Sequence, residues 1–237
     1  MTDSNKTERL SLVTGASRGI GAATAEALAR EGFHVVLVAR TATGLEEVEE
    51  RIHDAGGSAT IAPLDLTDGD SIARLATAIA ERWGKLDGLV LNAATLGSLT
   101  PVQSIDAKEL SRVMTLNVIA QQALISAFDP LLRRSSGGRL VAVTSSVGRA
   151  PRAYWGAYGA SKAALETLVE AYGEEQRNIG RIRTAIVDPG ATRTVMRARA
   201  FPGEDPETVK PASVVGDRIA ALLSQGFEPG HRERIDG

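Results

Sequence analysis

Short apolar runs and longer segments with helical spacing take turns through most of this chain of 237 residues. The runs at 10–14, 33–39, 59–64, 86–91, 139–144 and 182–187 are continuous enough for strands covered on both faces. Between them, the segments 22–30, 45–55, 71–83, 107–132 and 161–177 repeat apolar residues at helical intervals. Gly32, Gly56, Gly84, Gly137 and Gly180 each fall between such a segment and the next strand, where a residue tolerant of left-handed backbone closes a helix. Short links then require parallel strands, right-handed crossovers and helices on both faces, which is a doubly wound α/β fold. No composition break or long linker interrupts the pattern, so one domain over 1–237 is expected. Regularity drops after Pro189-Gly190. The segment 191–210 is polar and basic, with Arg193, Arg197, Arg199 and two prolines, and reads as a mobile substrate loop with a short helix. Pro211 opens a helix to about residue 224, and 225–237 offers little for a buried strand, which leaves a seventh strand in doubt.

Composition narrows the classes of function. With Lys+Arg 27 against Asp+Glu 29 the net charge is −2, so no global basic field attracts nucleic acid or acidic lipid. Cysteine is absent, which removes disulfides and thiolate chemistry. His34, His53 and His231 lack ligand spacing, so no metal is expected. The polar start, 1–9, is no secretory signal, and no stretch approaches the length of apolar residues that a membrane span needs. A cytoplasmic protein without membrane or nucleic-acid partners is expected.

The first strand leads directly into Thr14-Gly15-Ala16-Ser17-Arg18-Gly19-Ile20-Gly21 and an alanine-rich helix. Small residues at such a turn let backbone amides approach a pyrophosphate, and the helix N-terminus adds a favourable dipole. The spacing Gly-x-x-x-Gly-x-Gly differs from the commoner Gly-x-Gly-x-x-Gly. After the second strand, an acidic residue would bind a ribose 2′-hydroxyl and repel a 2′-phosphate. Arg40 and Thr41 stand there instead, and Arg18 offers a second guanidinium, so NADP(H) is preferred over NAD(H).

Tyr158 and Lys162 are four apart in a helical segment and project from one face. A fixed ammonium favours phenolate, so the pair suits moving a proton on and off a carbonyl oxygen, with the Ser145 hydroxyl holding that oxygen. Tyr154 is a rival phenol without a lysine four residues on. Ser146 neighbours Ser145, but strand alternation turns it to the other side.

The glycine turn, the Ser145, Tyr158 and Lys162 set, and Pro189-Gly190 together resemble the short-chain dehydrogenase/reductase family in its compact branch, from about Leu10 to Thr194. The resemblance implies a Rossmann-type sheet and an oxidoreductase that interconverts a carbonyl and a secondary alcohol of a small-molecule substrate. It implies that Lys162 binds the nicotinamide ribose and lowers the tyrosine pKa, and that Asn117 holds a water in a proton relay. Asn92-Ala93-Ala94 is similar to the family's Asn-Ala-Gly element, with alanine for its glycine, and Asp65-Leu66 resembles the adenine-contacting pair. Pro189, Gly190, Thr192 and Thr194 resemble the nicotinamide-side segment. The region 196–206 is similar to an uncharacterised bacterial subgroup and names no substrate. A homodimer through the long helices around Asn117 and Tyr158 is expected, whereas a tetramer through a seventh-strand edge is in doubt. The rival reading is an NADP(H)-binding sensor with little turnover. A sugar-nucleotide enzyme has too little chain after Pro189-Gly190 for a second domain.

Overall fold

A computed structural model describes residues 9–236. The polar segment 1–8, read above as no secretory signal, lies outside the described residues. Six parallel strands form where the apolar runs predict them, to within about two residues: β1 (Arg9–Thr14), β2 (Phe33–Ala39), β3 (Ser58–Pro63), β4 (Gly88–Leu91), β5 (Gly138–Val143) and β6 (Ile182–Asp188). Between them run α1 (Gly19–Arg30), α2 (Ala42–Asp54), α3 (Gly69–Trp83), α4 (Ala107–Met114), α5 (Ala120–Arg134) and α6 (Gly156–Arg177). Beyond β6 come β7 (Thr192–Arg193), α7 (Val195–Ala200), β8 (Lys210–Pro211), α8 (Ala212–Gln225) and β9 (His231–Arg234). The sheet order is β3-β2-β1-β4-β5-β6-β9. The chain therefore winds outward from β1, then returns to continue from β4, and the crevice beyond the carboxyl ends of β1 and β4 is the natural ligand site.

Strand alternation divides the core in two. Val35 and Leu37 of β2 pack with α1, α2 and α8, while Val36 and Val38 face the side of α3, α5 and α6. Helix α3 shows how a predicted stop works: left-handed Gly84 donates its N–H to the carbonyls of Ile79 and Ala80. Gly137 is the exception among the five, since its φ is not positive.

Two features differ from expectation. The seventh strand exists: β9 pairs in parallel with β6 from Ala185↔His231 to Asp188↔Arg234. Its sequence, His-Arg-Glu-Arg, is at most half-buried, so apolarity could not reveal it. Its side chains are held by charge instead, with Arg232 on Glu166 (2.9 Å) and Glu233 on Arg218 (2.8 Å). Next, the helix predicted over 107–132 is interrupted by one π-helical turn, Thr115–Ile119, which holds Asn117 fully buried. The 191–210 segment contains the expected short helix, α7, together with the β7–β8 pair and ion pairs of Arg197 with Glu204 (2.5 Å) and Arg193 with Glu207 (2.7 Å).

Candidate active site

The glycine turn joins β1 to α1 with almost no spare room. Gly15 has φ +66°, and a Cβ on it would sit 2.9 Å from Asn92 Nδ2; one on Gly21 would meet the Gly15 carbonyl oxygen at 2.2 Å. No side chain caps α1 and its first turn holds no acidic residue, which leaves amides and dipole for an anion. A pyrophosphate fits this cradle. Across the crevice, the Thr14 hydroxyl donates to the Val90 carbonyl (3.0 Å) and accepts from the amides of Asn92 (3.0 Å) and Ala93 (3.1 Å). Asn92 Nδ2 in turn donates to the Thr14 carbonyl (2.8 Å). The ends of β1 and β4 are thereby locked. Ala94 takes its place without strain, because Tyr154 is the only described non-glycine residue with positive φ.

A cleft of about 810 Å³ opens above this turn. Its nucleotide end is walled by Ser17, Arg18, Ile20, Arg40 and Thr41, with Asp65 and Leu66 alongside. Arg18 and Arg40 are exposed and face the same space, and no carboxylate follows β2. The Asp65 carboxyl is held below its usual range by hydrogen bonds from Thr67, helped by the Arg40 charge. Gly15, Gly19, Asn92, Ala93 and Ala94 line the middle, and Pro189, Gly190, Thr192 and Thr194 line the side below α7.

Ser145, Tyr158 and Lys162 line the other end of the same cleft. Ser145 follows β5 and is half-buried, whereas Ser146 begins a short helical turn and is exposed and outside the lining. Tyr154 is exposed and also outside it. Lys162 is buried and donates to the Val143 carbonyl at 2.8 Å, and its Nζ lies 5.7 Å from the Tyr158 ring centre. Burial pulls the lysine down to about 8, against the opposing charge of Glu166. Burial also pushes the Tyr158 phenol above its ordinary range, and the charge of Asp188 adds to this. The spacing pointed to a lowered tyrosine, whereas burial and the Asp188 charge both act to raise it.

Of the expected site residues, Gly21 and Asn117 do not line the cleft. Gly21 packs against Gly15 beneath the turn. Asn117 accepts from the Thr95 amide (2.8 Å) and donates to the Thr95 carbonyl (2.9 Å) and Ser161 Oγ (3.0 Å), while Ser161 donates to the Tyr158 carbonyl (2.7 Å). It ties the loop after β4 to the first turn of the tyrosine helix. The sequence reading missed Trp155 and Leu96, which line the cleft beside Tyr158, and Thr14. Trp155 had a signal, since it stands one helical turn before the tyrosine.

A family model for short chain dehydrogenases matches residues 9–205. The uncharacterised oxidoreductase YciK of Escherichia coli K12 is 40% identical over 212 residues, covering 88% of this chain and 83% of that protein. A Shigella flexneri 2a structure complexed with NADP superposes with a TM-score of 0.91 at 36% identity, covering 96% of this chain and 97% of the other. An Escherichia coli CFT073 structure complexed with NADPH gives 0.90 at 37% identity, covering 96% of each.

Proposed function

The chain belongs to the short-chain dehydrogenase/reductase family of oxidoreductases, and on that premise we propose an NADP(H)-dependent enzyme that interconverts a carbonyl and a secondary alcohol with Tyr158 as acid/base. The observation that carries this reading is that the tyrosine, lysine and serine line one cleft with the glycine turn. Cofactor choice rests on Arg18 and Arg40 at its nucleotide end, and on the NADP and NADPH bound by the two structural neighbours.

A bound nicotinamide supplies the hydride that the carbonyl carbon accepts, or takes it back from the alcohol. The protein's own residues manage position and proton. The neutral phenol of Tyr158 donates its proton to the substrate oxygen in reduction. Ser145 donates a hydrogen bond to the same oxygen and sets its direction. Lys162 spends one N–H on Val143, which leaves two for the cofactor ribose and the tyrosinate left after transfer. Asn117 acts from below as a positioning residue through Thr95 and Ser161. The 191–210 segment covers the substrate end, and the chain forms one domain. Exposed Val102, Leu110 and Ile119 support a homodimer.

A carbonyl panel with NADPH tests the reading. Turnover is expected on at least one ketone, and Tyr158→Phe is expected to reduce kcat by about 100-fold or more. Full activity in that variant overturns the assignment of Tyr158. NADPH binding without any turnover favours the sensor.

A further inference from the structure

The substrate end of the cleft carries an apolar wall. Around Tyr158, Leu96 and Val147 form a buried apolar cluster, and Leu99, Trp155, Met196 and Ala200 pack against it. Leu96, Trp155, Met196 and Ala200 face the cleft itself. Trp155 is held in place before any ligand arrives: its ring lies edge-on to Tyr158 at 6.0 Å and tilted on Phe201 at 5.8 Å. Phe201 is backed in turn by the Arg197 guanidinium at 3.7 Å.

Several of the polar groups beside this wall are committed to one another. Arg197 is clamped by both oxygens of Glu204 (2.7 and 2.5 Å), and Arg112 stands 3.5 Å from Glu109, while Arg199 also lines the cleft but is exposed to solvent and outside the apolar cluster. The backbone of Thr95 is taken by Asn117. Ser145 and Tyr158 are both needed for the reacting oxygen. A polyhydroxylated substrate would bury hydroxyls against this wall without partners, at a cost for each. A flat apolar group would instead exchange water for Trp155, Leu96 and Met196.

Resting on the function proposed above, we infer that the substrate is a ketone or aldehyde bearing an apolar group of aromatic size next to the carbonyl, rather than a sugar-like polyol, and that Trp155 sets this preference. Two activated ketones isolate that group: trifluoroacetophenone and trifluoroacetone share the reacting end and differ by a phenyl ring against a methyl. Dihydroxyacetone serves as the hydroxylated probe. With NADPH and the full chain, kcat/KM is expected to favour the phenyl ketone over the methyl ketone by about tenfold or more. Trp155→Ala should bring that ratio to within about threefold, and Trp155→Phe should retain it. A wild-type ratio near one, or a preference for dihydroxyacetone, with turnover that still depends on Tyr158, overturns the substrate class alone and leaves the carbonyl reductase standing. A ratio that Trp155→Ala leaves unchanged overturns the role of Trp155. Absence of turnover on all three probes, with Tyr158-dependent turnover of another ketone of the panel, overturns the substrate class alone; NADPH binding in direct titration without turnover of any compound overturns the carbonyl-reductase reading, and the substrate class with it.

Discussion

Arg40 stands where a carboxylate would greet a ribose hydroxyl, and its positive charge is already felt by Asp65 across the nucleotide end. Arg40→Asp exchanges attraction for repulsion at one point of the cofactor. NADPH affinity is expected to fall by about 10- to 100-fold and NADH affinity by less than about threefold, read by direct titration of each. Equal losses for both would remove the 2′-phosphate assignment. Lys162 carries a second consequence, this time for stability. It titrates near 8 when folded against 10.5 as a free side chain. Below the lower value both states are charged and folding bears the full cost of burial. Between the two values the unfolded chain holds the extra proton, so stability rises with pH; above the upper value nothing further changes. Tyr158 and Tyr172 are both pushed upward, and they act in the opposite direction only once pH passes their ordinary 10.0. Urea unfolding should therefore show a gain on the order of 2 kcal/mol from about pH 8 to 9.5 that Lys162→Met lacks. At this scale the sequence displayed the proposed acid/base pair, because Tyr158 and Lys162 share a helix face, and both line one cleft. It did not display Thr14 as the bridge between two strand ends, since that role depends on which strand lies beside β1.

Elements formed where one physical signal dominated. The six apolar strands and the helices between them follow from period and from glycine stops. β9 did not, because a strand of His, Arg and Glu earns its place through ion pairs with α6 and α8 rather than through burial. The π turn at Thr115–Ile119 was equally hidden, since one extra residue in a helical repeat barely disturbs its apolar stripe. Helix α8 lies against α1 through a contact that leaves no room for a side chain. A Cβ on Gly216 would come within 2.5 Å of the Ala23 carbonyl carbon, a backbone atom that cannot swing aside. Gly216→Ala should gain helix propensity yet still destabilise the protein by about 1–3 kcal/mol, because the two helices must separate. A urea midpoint at or above that of the unchanged protein would show that the pair is more pliant than its geometry implies.

For the molecule as a whole, the sheet's winding sets the place of the cleft, whose lining joins the glycine turn after β1, the segment after β4 and Tyr158. The same winding leaves α4, the π turn and the short turn before them on the outside, with Leu110 37%, Ile119 60% and Val102 70% exposed respectively. Such apolar positions on a helical face suit a second copy of the chain. Light scattering is expected to give a dimer, and Ile119→Asp to shift it toward monomer; a monomeric unchanged protein at micromolar concentration would refute that interface. The doubt about a tetramer rested on a missing seventh strand, and β9 removes that ground by giving the sheet its outer edge.

Glu166 is 4% exposed, accepts from the Thr144 hydroxyl, and is paired by Arg149 at 2.8 Å and Arg232 at 2.9 Å. It lies one turn beyond Lys162 on α6, and its charge bears on that lysine. Ribosomes build a chain from its amino end, so the reacting lysine, the serine and the whole nucleotide cradle emerge before Arg232 does. Until those later codons are read, the buried carboxylate beneath the site lacks one of its two arginines. The order of synthesis thus makes β9 the last piece of the charge balance beneath the reacting groups.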